Sequence, residues 1–265
     1  MAAIDRTMGT FEIGRVISRA FDVITGNAAT FFALAVIASL PTVAFRYFSL
    51  VRPQVVVANS QELFGPNMLT GFIGMAVLGF FIYYIFANLL AAALTHGTIV
   101  ALNGRKPTIG ECMATGLRHA IPLAVITFLA TLGLMLGFVL LIVPGLILIT
   151  MWAVLTPVRV AEQTSIMETF SRSAELSSGF RWHIFGLLVI YALIAWAVGL
   201  VVALVAGAST LGGDPTHVSL AFVIVEGIGT ILTSLFGSTV IASTYYELRT
   251  AKEGVAPEQL ASVFE

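Results

Sequence analysis

From Ile121 to Val158 the chain runs without one charged side chain. As a single helix these residues would be roughly 57 Å long, nearly twice the hydrocarbon thickness of a bilayer. The run therefore predicts two crossings joined by a turn. Val143-Pro144-Gly145 is the favoured reversal, because proline suits the first turn of a new helix and glycine a tight bend. Gly133 to Gly137 is the alternative.

Composition agrees with a membrane setting. Mean hydropathy is +0.99, and 58% of residues are hydrophobic against 10% charged, where a soluble chain keeps roughly 25% charged. Polar groups are too few to cover the surface, so bilayer must replace much of the water. A net charge of −1 argues against nucleic acid as a partner. The single cysteine, Cys112, excludes an internal disulfide and the usual multi-cysteine metal sites. No cofactor is expected. No cleavable signal is expected either: the first 27 residues are amphipathic, and the apolar run behind them is too long for a signal core.

Taken in order, Thr10 to Asn27 places Ile13, Val16, Ile17, Ala20, Phe21 and Ile24 on one helical face and Glu12, Arg15, Arg19 and Asp22 on the other. That is the pattern of a helix lying in the membrane interface. A first span follows over Ala28 to Leu50, kinked at Pro41, then an outer loop over Val51 to Leu69. The second span, Thr70 to Leu102, is longer than a bilayer needs and should tilt or protrude from the inner face. Thr108 to Ala120 reads as a second surface helix, with Thr108 and Glu111 as a capping box. Behind the long apolar run, the chain leaves the membrane at Arg159 to Gln163. A third amphipathic helix carries Ser165 and Glu168 in the same capping form. Spans five and six cover Ile184 to Ala208 and Val218 to Tyr246, with Leu211 to Pro215 as an outer loop.

If the amino terminus is cytoplasmic, only Arg46 and Arg52 of the 13 basic residues fall outside. This bias predicts both termini inside. The fold expected is therefore all-α: one integral membrane domain over 1–265, with six transmembrane helices and three interfacial amphipathic helices on the cytoplasmic side. Aligning Ile13, Ile109 and Ile166 brings Ile17, Met113 and Phe170 together, then the small residues Ala20, Gly116 and Ser173. These matches suggest three repeat units, about 10–102, 108–162 and 165–249, with a free tail over 250–265. The competing explanation is that any helix entering a bilayer carries this pattern.

Several stretches recur in a known order. They are Gly104 to Glu111, Pro144-Gly145 with Trp152 and Pro157, Ser171 to Leu176, and Tyr245-Tyr246-Glu247-Leu248-Arg249 with Lys252-Glu253-Gly254. In these the chain resembles the membrane-domain family named after bacterial glycerophosphoryl diester phosphodiesterases, and related six-span bacterial proteins. The family-like positions are Pro144, Gly145, Tyr245, Glu247, Arg249 and Gly254. In that family the domain is sometimes joined to a catalytic barrel, for which these 265 residues leave no room. The resemblance implies an inner-membrane architecture and a link to lipid metabolism, without catalytic activity.

Among candidate site residues, Glu226 is the one acid well inside an expected span. An ionised acid there costs about 2.5–3.5 kcal/mol on insertion scales, so it needs a partner or a wet site. Arg46 reaches similar depth and is the natural partner. The pair is either an inter-helix tie or a substrate or proton site. Thr230, Ser234 and Ser238 follow Glu226 at helical spacing, and Asn88, Thr95 and His96 mark a similar stripe on the second span. Such stripes are more often packing seams than solute paths. Arg105, Lys106, Arg118, Arg172, Arg181, Arg249 and Lys252 ring the inner face, where they could meet anionic lipid headgroups. No HExxH motif, paired carboxylates or Cys/His cluster is present.

Two functions fit. The first is a non-catalytic inner-membrane protein that organises lipids, or serves as an accessory subunit to a membrane-protein partner or a second copy. The second is a transporter or channel for a small solute or lipid, with a polar cavity near Glu226.

Overall fold

The computed structural model describes residues 11–41, 66–211 and 220–254. All regular structure in them is helical. In chain order the elements are α1 (Ile13–Gly26), α2 (Ala28–Pro41), α3 (Pro66–Leu102), α4 (Ile109–Leu140), α5 (Ile142–Met151), α6 (Leu155–Glu162), α7 (Ile166–Ser177), α8 (Arg181–Leu211) and α9 (Leu220–Glu253). Five stretches are long and apolar enough to cross a membrane: Val77–Leu102, Ile109–Leu140, Ile142–Glu162, Arg181–Val205 and Ile224–Glu253. The α1–α2 pair, bent by 86°, would make a sixth. A multi-span helical protein is what the apolar runs required. The rest of the first span with Arg46, both expected outer loops in large part, and most of the tail lie outside the described residues.

α1 ends at Asn27, whose side-chain amide and backbone amide both donate to the Val23 carbonyl at 3.2 Å. Its buried face is Val16, Ala20 and Val23, while Phe21, expected on that face, is 52% exposed. α3 stops where Asn103-Gly104 dictates. Gly104 has φ +76, its amide bonds the Ala101 carbonyl, and the Arg105 amide bonds that of Val100. This pair of bonds is a Schellman closure, which a left-handed glycine permits.

The expected boundary between a surface helix and a span at Ile121 does not occur: α4 runs unbroken through Pro122. The reason lies in its buried stripe. Cys112, Gly116, His119, Leu123, Ile126, Ala130 and Gly137 follow one helical face from end to end. The same neighbours cover that face throughout, so nothing calls for a bend. Gly116 lets α3 approach closely, since a Cβ there would lie 2.9 Å from the Leu89 carbonyl oxygen.

The reversal after α4 falls at Leu141, in extended conformation (φ −168, ψ 155), rather than at Val143 to Gly145. Pro144 and Gly145 instead occupy the first turn of α5, where proline has no amide to leave unpaired. Gly145 meets the Phe138 ring and Gly133 the Trp152 ring, each where a Cβ would come within 2.5 Å. Gly133 and Gly137 are thus packing glycines, not the turn.

The fourth span is broken at Trp152 to Val154. The Leu155 amide turns to the Trp152 carbonyl, which frees the carbonyl of Met151. Ser173 and Ser177 of α7 donate to it at 2.9 and 3.3 Å. α7 carries the full reciprocal capping box: the Glu168 amide donates to Ser165 Oγ at 3.4 Å and the Ser165 amide to Glu168 Oε2 at 2.8 Å. At Thr108 the described bond is the Glu111 amide donating to the threonine hydroxyl at 3.3 Å.

Burial is polarised along the bundle. On α3 the buried residues run from Asn88 to Val100, and on α9 mainly from Thr239 to Leu248, whereas Val77, Leu78, Phe80, Phe81 and Tyr83 are exposed. The main core joins α1, α3, α6, α8 and α9 at this one end, through Val16, Ala20, Ile99, Val158, Leu176, Leu187, Tyr245 and Leu248.

Candidate functional site, a charged belt at one end of the bundle

The last turns of α9 carry Tyr245, Tyr246, Glu247, Arg249 and Glu253 into the end of the molecule where α1, α6 and α7 meet. Glu247 is 2% exposed. Its carboxylate takes the Arg15 guanidinium at 3.2 Å and that of Arg19, both from α1. Arg19 also lies over the Tyr246 ring, 5.3 Å from its centroid, a cation–π arrangement.

A second knot lies beside the first. The Tyr245 hydroxyl donates to Glu162 Oε1 at 2.8 Å, and Arg172 Nε donates to Glu162 Oε2 at 2.9 Å. One carboxylate at the end of α6 thereby ties α9 to α7. Arg172 also reaches Glu175 at 3.1 Å and Glu253. Arg249 bonds Glu253 at 2.8 Å and the Tyr245 hydroxyl at 3.2 Å. Lys252 donates to the Glu175 carbonyl and to Ser178. Burial works against the charge of Arg172, but hydrogen bonds to Glu253, Glu162 and Glu175 outweigh it and raise its pKa. On exposed Glu168 the Ser165 amide, and next the hydroxyl, pull the carboxyl below its ordinary range.

The basic residues of the expected collar thus divide into two sets. Arg172, Arg249 and Lys252 are held inside the belt. Arg105, Lys106, Arg118 and Arg181 are exposed, and among the described residues no carboxylate pairs with them. The belt's arginines Arg15 and Arg19 were not singled out from the sequence as site residues. The visible signal was Arg15 and Arg19 at i, i+4 beside an acid in the last apolar turns of α9.

The other candidates scatter. Arg46 lies outside the described residues, and Glu226 is half-buried on α9. Asn88 closes a small network between α3 and α4: its amide donates to the Tyr84 carbonyl at 2.8 Å, and its oxygen accepts from Thr127 at 3.0 Å. The Thr127 and Tyr84 hydroxyls are 2.7 Å apart. Tyr84 and Thr127 were missed, although a buried Asn amide must find partners. Thr95 is buried and His96 half-buried on α3. Thr230 is exposed, and Ser234 and Ser238 are half-buried. The seam that α9 makes with α8 lies one residue earlier, on Gly229, Thr233 and Gly237, against Val198, Val202 and Tyr191. Gly254, at φ +61, closes α9 by donating to the Thr250 carbonyl at 3.1 Å.

Chemically the belt is a set of saturated ion pairs, and no nucleophile is poised against a base within it. Among the described residues no three His, Cys, Asp or Glu side chains converge on a point that could hold a metal. No protein-family model, curated protein or solved structure matches the chain.

Proposed function

We propose that the protein is a non-catalytic, lipid-associated scaffold or accessory subunit of a bacterial inner membrane, with the charged belt and both termini on the cytoplasmic side. One observation carries this reading: the buried charges of the belt end on one another, while Arg105, Lys106, Arg118 and Arg181 stay exposed without carboxylate partners. Basic groups of that kind at a membrane surface attract anionic headgroups, at about 1 kcal/mol each. The polar side chains of α3 and α4 bond one another, as a fixed seam would. The three-unit repeat and the kinship with phosphodiesterase membrane domains belong to the same proposal. They link the chain to membrane lipid homeostasis.

Native mass spectrometry of the gently extracted protein tests it. The expected result is retained anionic phospholipid or a co-purifying subunit, with the lipid lost when Arg105, Lys106, Arg118 and Arg181 are all changed to Gln. Unselective lipid retention, unchanged in that variant and with no subunit, would refute the reading. Half-burial of Glu226 within a span favours a second reading, transport of a small solute or lipid. Loss of a transport phenotype in Glu226→Gln, with normal assembly, would replace the first reading by the second.

A further inference from the structure

The α4–α5 hairpin is shorter than the helices around it. Leu123 packs on Val160 and Gly133 receives Trp152, so the two arms of the hairpin lie side by side from the charged belt outward. Counted from Arg118, α4 has about 22 residues to Leu140, roughly 33 Å; counted from Arg159, the other arm has about 18 back to Leu141, roughly 27 Å. From the same belt, α8 runs 31 residues from Arg181, roughly 46 Å, and α9 about 28 residues from Glu247 back to Leu220, roughly 42 Å. A hydrocarbon core is roughly 30 Å and a whole bilayer roughly 40–45 Å. α8 and α9 can therefore clear the opposite headgroups, and the hairpin cannot.

Its tip is built for that position. From Leu132 to Ile149 no side chain is polar. Val139, Leu140, Leu141, Ile142 and Val143 are 83, 74, 68, 69 and 64% exposed, a contiguous apolar cap with no polar rim. The backbone of the turn also asks little of water. The Leu141 amide donates to the Gly137 carbonyl at 3.1 Å, and the Leu141 carbonyl accepts from the Gly145 amide at 3.4 Å. Pro144 has no amide, so of the four donors a helix start normally leaves open, only Ile142 and Val143 remain.

We propose that Val139 to Val143 form a lipid-seated tip, buried among the acyl chains and glycerol groups of the leaflet opposite the charged belt. The leaflet thins locally over it, and the turn is not part of the aqueous surface. Acyl chains are the occupant because the cap offers no hydrogen-bonding group with which to fix the register of a protein partner. This contact stands apart from the basic residues at the other end.

The test uses full-length protein in membrane vesicles opened to reagent on both sides, with Cys112→Ala as background. Leu141→Cys should react with a charged, membrane-impermeant maleimide at least roughly tenfold more slowly than Ala114→Cys, an exposed site at the belt end of the same helix, because the reactive thiolate does not form in hydrocarbon. The two should react alike once denatured in detergent. A nitroxide on the Leu141→Cys thiol should be relaxed by oxygen and not by a water-soluble nickel chelate. Val139→Cys repeats the test should the first variant fail to accumulate. Labelling at the Ala114→Cys rate, or an oxidant-driven disulfide between two copies at Leu141→Cys, would overturn the proposal.

Discussion

Replacing Glu247 with Gln, and separately replacing both Arg15 and Arg19 with Gln, should damage the protein unequally. The Glu247 side chain is 3% exposed, while those of Arg15 and Arg19 are 40% and 30% exposed. With the carboxylate gone, both guanidiniums can turn to water. Charged hydrogen bonds are worth about 1.5–3 kcal/mol, and solvent screening of the arginines puts the loss near the lower figure. With both arginines gone, the carboxylate stays buried without a counter-charge, which costs about 3–5 kcal/mol. Either arginine alone can hold the carboxylate, so each single variant should lose only about 1 kcal/mol. The triple variant, with no charge left to bury, should recover about 2 kcal/mol over the double-arginine variant. Unfolding of the purified protein in mixed micelles, followed by tryptophan fluorescence, gives all of these differences. Equal loss in Glu247→Gln and in the double-arginine variant, or no recovery in the triple, would refute the claim that burial of the carboxylate governs this cluster.

Three further outcomes follow from the packing. Ser173→Ala should cost about 1 kcal/mol in the same unfolding assay, because Ser177 at 3.3 Å is then the remaining hydroxyl on the Met151 carbonyl; the Ser173→Ala/Ser177→Ala pair should lose more than the sum of the singles. Thr127→Val should lose about 0.6–1.7 kcal/mol, the range measured for polar contacts between membrane helices, and infrared spectra should register the freed Asn88 amide. Acid should weaken the start of α7: Glu168 has a lowered pKa in the fold, so its contribution is complete above the ordinary carboxylate pKa and disappears as pH falls through the lowered value. Glu168→Gln should abolish that acid dependence of amide exchange at the start of α7.

The apolar runs and the local stop signals could be read from the sequence because each is decided by neighbouring residues. Gly104 ends α3 through two bonds within its own turn, and Ser165 with Glu168 caps α7 across three residues. The charge partners could not be read in this way. Glu247 is 228 residues from Arg19, and their meeting depends on how α1 lies across α9. Depth alone suggested Arg46 for Glu226, but depth says nothing about which way a helix is turned. The same blindness moved the α8–α9 seam from Thr230, Ser234 and Ser238 to Gly229, Thr233 and Gly237. Both sets are small and spaced by four, and a rotation of about 100° separates them. On α4 a proline and a charged segment suggested a break, while a continuous packing stripe kept the helix whole.

Stability in this protein must be concentrated at its charged end. Lipid tails are as apolar as leucine, so the helices gain no hydrophobic drive from meeting within the bilayer. α8 shows the consequence: none of its most apolar window is buried, against a third of the corresponding windows of α3, α5–α6 and α9. Its grip on α9 is close approach, with Gly237 under the Tyr191 ring and Gly229 against Val198 and Val202. At the belt, by contrast, Val16, Ala20, Tyr245 and Leu248 are within 1% of complete burial, and ion pairs join α1, α6, α7 and α9. Water reaches this end, so burial there gains the full hydrophobic term of about 25 cal/mol per Å². Opening the belt should therefore release α1 and α7 together and leave the apolar helices in the membrane with few contacts to hold their order. Loosening the opposite end should change little beyond the lipid around it.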